Sequence, residues 1–115
     1  MNPQDRLAEA LNLSPNGQDW GIEQADSQRV SEFIDFAVRH ESASPLEHEL
    51  LAELILQSAQ DKLEQSDLTP AEAASLISYL SEHRSKFPTT WAHWRSLDHT
   101  AWSVAKYLDM VANKA

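Results

Sequence analysis

The chain is 115 residues long and contains no cysteine, which sets aside disulfide frameworks, thiolate nucleophiles, cysteine-based zinc sites and Fe–S ligation. Its formal charge of −9 lies wholly in residues 1–64, where thirteen Asp and Glu face four Lys and Arg; residues 65–115 hold five of each kind. Such a balance argues against unaided nucleic-acid binding and makes one surface a docking site for a basic partner.

The 42% hydrophobic content suits a single core, and two glycines with five prolines are too few for the turns of an all-β fold. The expectation is an all-α domain over residues 1–115, a compact bundle of four main helices plus a short amino-terminal helix. No run approaches the ~20 apolar residues of a membrane span, and Met1 to Arg6 lacks the basic start of a secretion signal. The chain is therefore expected to be cytoplasmic and free of membrane.

Residues 1–20 read as an appendage, with a short helix from Pro3 to Leu13 and a turn at Pro15-Asn16-Gly17, before a core over about 26–113. A helix is expected to start at Asp26 or Ser27 and end near His40 or Glu41. Val30, Phe33, Ile34, Ala37 and Val38 mark its apolar face.

Two start signals follow. Ser44-Pro45-Leu46-Glu47 and Thr69-Pro70-Ala71-Glu72 each place a hydroxyl at the N-cap, Pro at the first helical position and Glu at the third. There the Glu can reach back to the N–H of the cap. Between Leu46 and Gln65, Leu50, Leu51, Leu54, Ile55, Leu56, Ala59 and Leu63 spread around most of the helix, which makes this the central helix. Its remaining strip of Glu49, Glu53, Gln57, Gln60 and Glu64, with Asp61 at the edge, is expected to face water.

From Pro70 to about Lys86, Ala73, Leu76, Ile77, Leu80 and then Phe87 form another apolar face, which Pro88 interrupts. The last helical segment runs from Thr90 to Asn113, with Trp94, Leu97, Ala101, Val104, Ala105, Leu108 and Val111 on one side. Asp98 as a second cap implies a kink between Ser96 and His99.

Among His40, His48, His83, His93 and His99 there is no i, i+4 pair, no His-Glu-x-x-His and no Glu-x-x-His, so no metal site is assigned. There is no Gly-x-Ser-x-Gly and no glycine-rich phosphate loop, so no catalytic residue and no cofactor is assigned either. The partner-binding residues implied by the charge map are Glu32, Asp35, Glu49, Glu53, Asp61 and Glu64, with Glu41 beside them. Tyr79, at the side of its apolar face, is either a docking anchor or a buried phenol. Trp91, Trp94 and Trp102 either close the end of the core or line a groove near Arg95 and Lys106.

Asp19-Trp20, the run from Ala25 to Ile34, and His93-Trp94-Arg95-Ser96-Leu97 resemble small all-helical bacterial proteins, some of which are immunity proteins that neutralise a toxin. His93 departs from the aromatic expected before Trp94. The resemblance implies a bacterial source and a binding role. Three readings follow. The first is a non-catalytic interaction domain, in the manner of an immunity or antitoxin-like inhibitor, docking its acidic face on a basic protein. The second is a homo-oligomeric structural or regulatory module, and the third a metal-dependent enzyme using His93, His99 and carboxylates.

Overall fold

The computed structural model describes residues 2–40, 44–97 and 103–113, and all regular structure among them is helical. Among the described residues seven α-helices occur, where four main helices and one short helix were expected: α1 (Pro3–Leu11), α2 (Trp20–Glu23), α3 (Val30–Arg39), α4 (Pro45–Gln65), α5 (Pro70–His83), α6 (Pro88–Arg95) and α7 (Ala105–Ala112). A 3-10 turn, Arg84–Lys86, joins α5 to α6.

The helix starts follow local chemistry. Asn2 caps α1 by accepting from the Asp5 N–H at 2.8 Å, with Pro3 behind it, and α1 ends where Asn12 turns left-handed at φ 58°. At α5 the capping box is complete. Thr69 Oγ1 accepts from Glu72 N at 3.1 Å, while Thr69 N donates to Glu72 Oε1 at 2.8 Å.

At α4 only half of the expected box forms. Ser44 Oγ accepts from Glu47 N at 3.2 Å, but the Glu47 carboxylate turns away to Arg6 and His40. Helix α3 begins at Val30, later than expected, because residues 26–29 form a turn. The Asp26 carboxylate accepts from Gln28 N at 2.8 Å, and the Asp26 N–H donates to Ser58 Oγ at 2.9 Å. Helix α6 ends with Ser96 as its cap; Asp98, the expected second cap, lies outside the described residues.

Helix α4 packs against α1, α2, α3, α6 and the 3-10 turn, while α5 packs against α3 and α7. Every residue from Glu47 to Leu63 is buried or half-buried, so the central placement expected from its apolar circumference is the one adopted. Residues 2–20, expected as an appendage, take part in this packing, since Leu7, Ala8, Leu11 and Trp20 are buried in the same core as Leu54 and Phe87. The unanticipated α2 crosses α4 at Gly21. A Cβ there would lie 2.6 Å from Glu53 Cγ and 3.0 Å from the Leu54 amide nitrogen.

The start of α4, the end of α5 and the 3-10 turn bring His48, His83 and Lys86 within electrostatic reach of one another. Burial pushes the His48 imidazole below its ordinary value, and the positive charge of Lys86, His83 and His40 adds to this against the opposing Glu47. Burial and then Lys86 lower His83 likewise, opposed by Glu82. A histidine with a lowered folded pKa binds its proton more readily when unfolded. The resulting stability is present above the ordinary value of 6.5 and is lost as pH falls through the folded values.

Denaturant unfolding should therefore show lower stability at pH 5 than at pH 7.5, and His48→Gln with His83→Gln should flatten that slope. An unchanged slope in the double variant would refute the assignment. Gly21→Ala should destabilise by about 1–3 kcal/mol, because the Leu54 backbone cannot yield as a side-chain end can. Thermal unfolding measures that loss.

Candidate docking surface

The strip on α4 expected to face water is largely covered by other helices. Glu49 receives the N–H groups of Thr89 at 3.1 Å and Thr90 at 2.8 Å, and Thr90 Oγ1 donates to the Glu49 carbonyl at 3.3 Å. Helix α6 has Phe87 at its N-cap, which offers no side-chain acceptor, and Pro88 supplies no N–H. Glu49 therefore caps α6 from another helix, with its negative charge at the positive end of the dipole.

Glu53 Oε2 accepts from Trp94 Nε1 at 2.9 Å, and Gln60 Oε1 accepts from Val104 N, just before α7, at 2.8 Å. Asp61 is half-buried and accepts from Gln57 at 2.9 Å. Of this helix's proposed partner-binding acids, Glu64 alone is exposed. On α3, Glu32 is exposed but bonded to Arg29 Nε at 3.0 Å, and that bond, with the Arg29 charge, holds its carboxyl below the usual range although burial opposes it. Asp35 is exposed, and its carboxylate has no partner among the described residues. The structure thus does not bring the six acids into one free strip.

Trp94 is only 4% exposed and is a core residue with its N–H satisfied by Glu53, so it is not available as the wall of an open groove. Trp91 is half-buried beneath the Arg84 guanidinium, 5.3 Å from the ring centre. Trp102 and His99 lie outside the described residues, and so does Glu41. His93 is exposed, edge-on to Trp94. Among the described residues no three His, Asp or Glu side chains converge in a way that would hold a metal ion.

Arg6, His40 and Glu47 meet around a cleft of about 300 Å³. Arg6 Nη2 lies 2.6 Å from Glu47 Oε1 and His40 Nε2 lies 2.8 Å from Glu47 Oε2, while the His40 ring stacks on Phe36 at 4.9 Å. Both carboxylate oxygens are engaged. The group ties α1 and the end of α3 to the first turn of α4, and its charges are answered within the fold.

A second concavity has a different character. Between α3 and α5 runs a groove of about 290 Å³, with Ile34, Asp35 and Val38 on one wall and Ala74, Ser78 and Glu82 on the other. Neither carboxylate is held by a close ion pair. Arg39 Nε donates to the Asp35 main-chain oxygen at 3.3 Å, not to its carboxylate, and His83 Nε2 is 3.9 Å from Glu82 Oε2.

Comparison with family models, with curated proteins and with solved structures returned no match. The sequence pointed to Asp35 through the charge map. It also held a signal for the opposite wall that periodicity of apolar residues does not display, because Ala74 and Ser78 are small residues on a helix's outer face.

Removing Glu49 should unfasten α6. Glu49→Ala is expected to cost about 1–2 kcal/mol as a lost cap, and Glu53→Ala about as much by leaving the Trp94 N–H unpaired. The charge-reversed pair Glu49→Lys with Glu53→Lys should lower the melting temperature by roughly 5 °C or more. Wild-type stability in that pair, measured by circular dichroism, would show that neither contact matters.

Proposed function

We propose that this chain is a non-catalytic protein-interaction domain whose partner presents a basic surface to the outer face of α3 and its surroundings. The α3–α5 groove carries this reading. It joins the apolar side chains of Ile34 and Val38 to two carboxylates that make no ion pair with a Lys or Arg among the described residues, the combination in which electrostatics steers encounter and apolar contact supplies affinity. The one-sided charge of the chain supports it, and an immunity-type inhibitor covering a basic protein is the specific form that the sequence resemblance suggests. Cytoplasmic location belongs to the same proposal. No helix among the described residues is long and apolar enough to cross a membrane.

A second reading, self-association, has its own observation. Leu46 is 55% exposed and borders a cavity of about 310 Å³ with Pro3 and Leu50, an apolar surface that a second copy can cover. A monomer by light scattering at high concentration would remove it.

For the first reading, affinity purification from the native cell at low salt should retain one stoichiometric partner that is released as salt rises. Asp35→Lys with Glu64→Lys changes only exposed carboxylates, so folding stability should stay within about 0.5 kcal/mol while retention is lost. If no stoichiometric partner is retained, or if the reversed protein holds it equally well, the reading fails.

A further inference from the structure

The loop between α1 and α2 holds the chain's one Asn-Gly pair, Asn16-Gly17. When glycine follows an asparagine, the main-chain nitrogen of the glycine can reach the side-chain amide carbon, because no Cβ on the following residue stands in the way. The other asparagines lack that neighbour. Asn2 precedes Pro3, which has no N–H, while Asn12 and Asn113 precede Leu13 and Lys114, which carry full side chains.

The fold leaves the reacting groups open and fixes what surrounds them. Residues 14–19 are all exposed. Among the described residues neither the Asn16 side-chain amide nor the Gly17 N–H has a hydrogen-bond partner, so neither electrophile nor nucleophile is held back. On either side of them, Gln4 Nε2 of α1 donates to the Pro15 carbonyl at 2.6 Å and to the Gly17 carbonyl at 3.2 Å. Trp20 Nε1 donates to the Ser14 carbonyl at 2.7 Å, and Ser14 N donates to Gln24 Oε1 at 3.1 Å. Gly17 has φ 119°, a conformation that glycine adopts without strain. Glu23 Oε2, from α2, fills the space that a Cβ on Gly17 would take. A carboxylate therefore rests against the Cα bonded to the attacking nitrogen.

We infer that Asn16-Gly17 is a site of spontaneous succinimide formation in the folded protein, which converts Asn16 to aspartate and isoaspartate with the Glu23 carboxylate as base. Gly17 N attacks Asn16 Cγ and passes its proton to Glu23. The Cγ–Nδ2 bond then breaks, and Nδ2 takes that proton and leaves as ammonia. Water, the only co-reactant, opens the ring. Cleavage of the Cγ–N bond gives aspartate, and cleavage at the main-chain carbonyl gives isoaspartate. Holding nucleophile, electrophile and base in one fixed loop supplies the proximity that such a ring closure needs. Either product adds a negative charge beside Glu23. Isoaspartate also lengthens the main chain between the two carbonyls that Gln4 holds.

The test follows the purified full chain over days in neutral and mildly alkaline buffer, folded and in urea, by peptide mapping with mass spectrometry. Isoaspartate is read by methylation with an isoaspartyl methyltransferase. In the folded chain Asn16 should convert about tenfold faster than Asn2, Asn12 or Asn113, and no slower than about one-third of its rate in urea. Both products should form, and Asn16→Ser should remove the isoaspartate signal.

Glu23→Gln, a change at an exposed position, should slow the reaction about threefold at neutral pH and leave a rate that rises about tenfold per pH unit, because hydroxide replaces the lost base. Wild type should show a shallower rise. The proposal is overturned if Asn16 stays intact in the folded chain while it converts in urea, if aspartate forms without isoaspartate, or if Glu23→Gln keeps the wild-type rate and pH profile.

Discussion

A helix enclosed by its neighbours must have its polar side chains paired inside the fold, and in this protein that requirement on α4 organises the other elements. Glu47 grips Arg6 of α1 and His40 at the end of α3. Glu49 caps α6, and Glu53 holds the Trp94 indole. Ser58 receives the Asp26 N–H before α3, and Gln60 the Val104 N–H before α7. A buried polar group without a partner costs about 1–3 kcal/mol, so each pairing determines where a neighbouring segment can lie. The same side chains that make α4 look amphipathic fasten the bundle.

This arrangement changes the meaning of the chain's negative charge. A carboxylate that caps a helix or accepts an indole proton is part of the folding energy and is partly withdrawn from solvent, so a formal −9 overstates what an approaching molecule meets at α4. The remaining exposed carboxylates include Asp35, Glu64 and Glu82, on three different helices. Lys62 illustrates the same economy on the basic side. It reaches Glu72 at 2.6 Å and joins the end of α4 to the first turn of α5, where burial raises the Glu72 carboxyl but the bonds from Lys62 and Thr69 together hold it below the usual range.

What distinguishes the α3–α5 groove from the Arg6–His40–Glu47 cleft is therefore not size but completeness. In the cleft, cation and carboxylate answer one another at hydrogen-bond distance. In the groove, the carboxylates of Asp35 and Glu82 have no such answer among the described residues, beside an outer helix face of alanine and serine. Incomplete polar pairing beside apolar surface is where a partner gains the most by binding.

The linear chain by itself determined the helical class, the starts of α4 and α5, and the central position of α4. N-caps, proline at the first turn and apolar periodicity all act within one helix turn or around one helix axis. It did not determine that Glu47 would leave its capping box, that α2 would cross at Gly21, or that Glu49 and Glu53 would turn inward. Those outcomes rest mostly on partners distant in the chain, such as Thr90 and Trp94, each 41 residues from its carboxylate, whose approach no local period encodes. A polar strip on a helix announces only that its side chains need hydrogen-bond partners. Whether water or another helix supplies them was decided by tertiary packing, because the N–H groups at the start of α6 had no acceptor of their own.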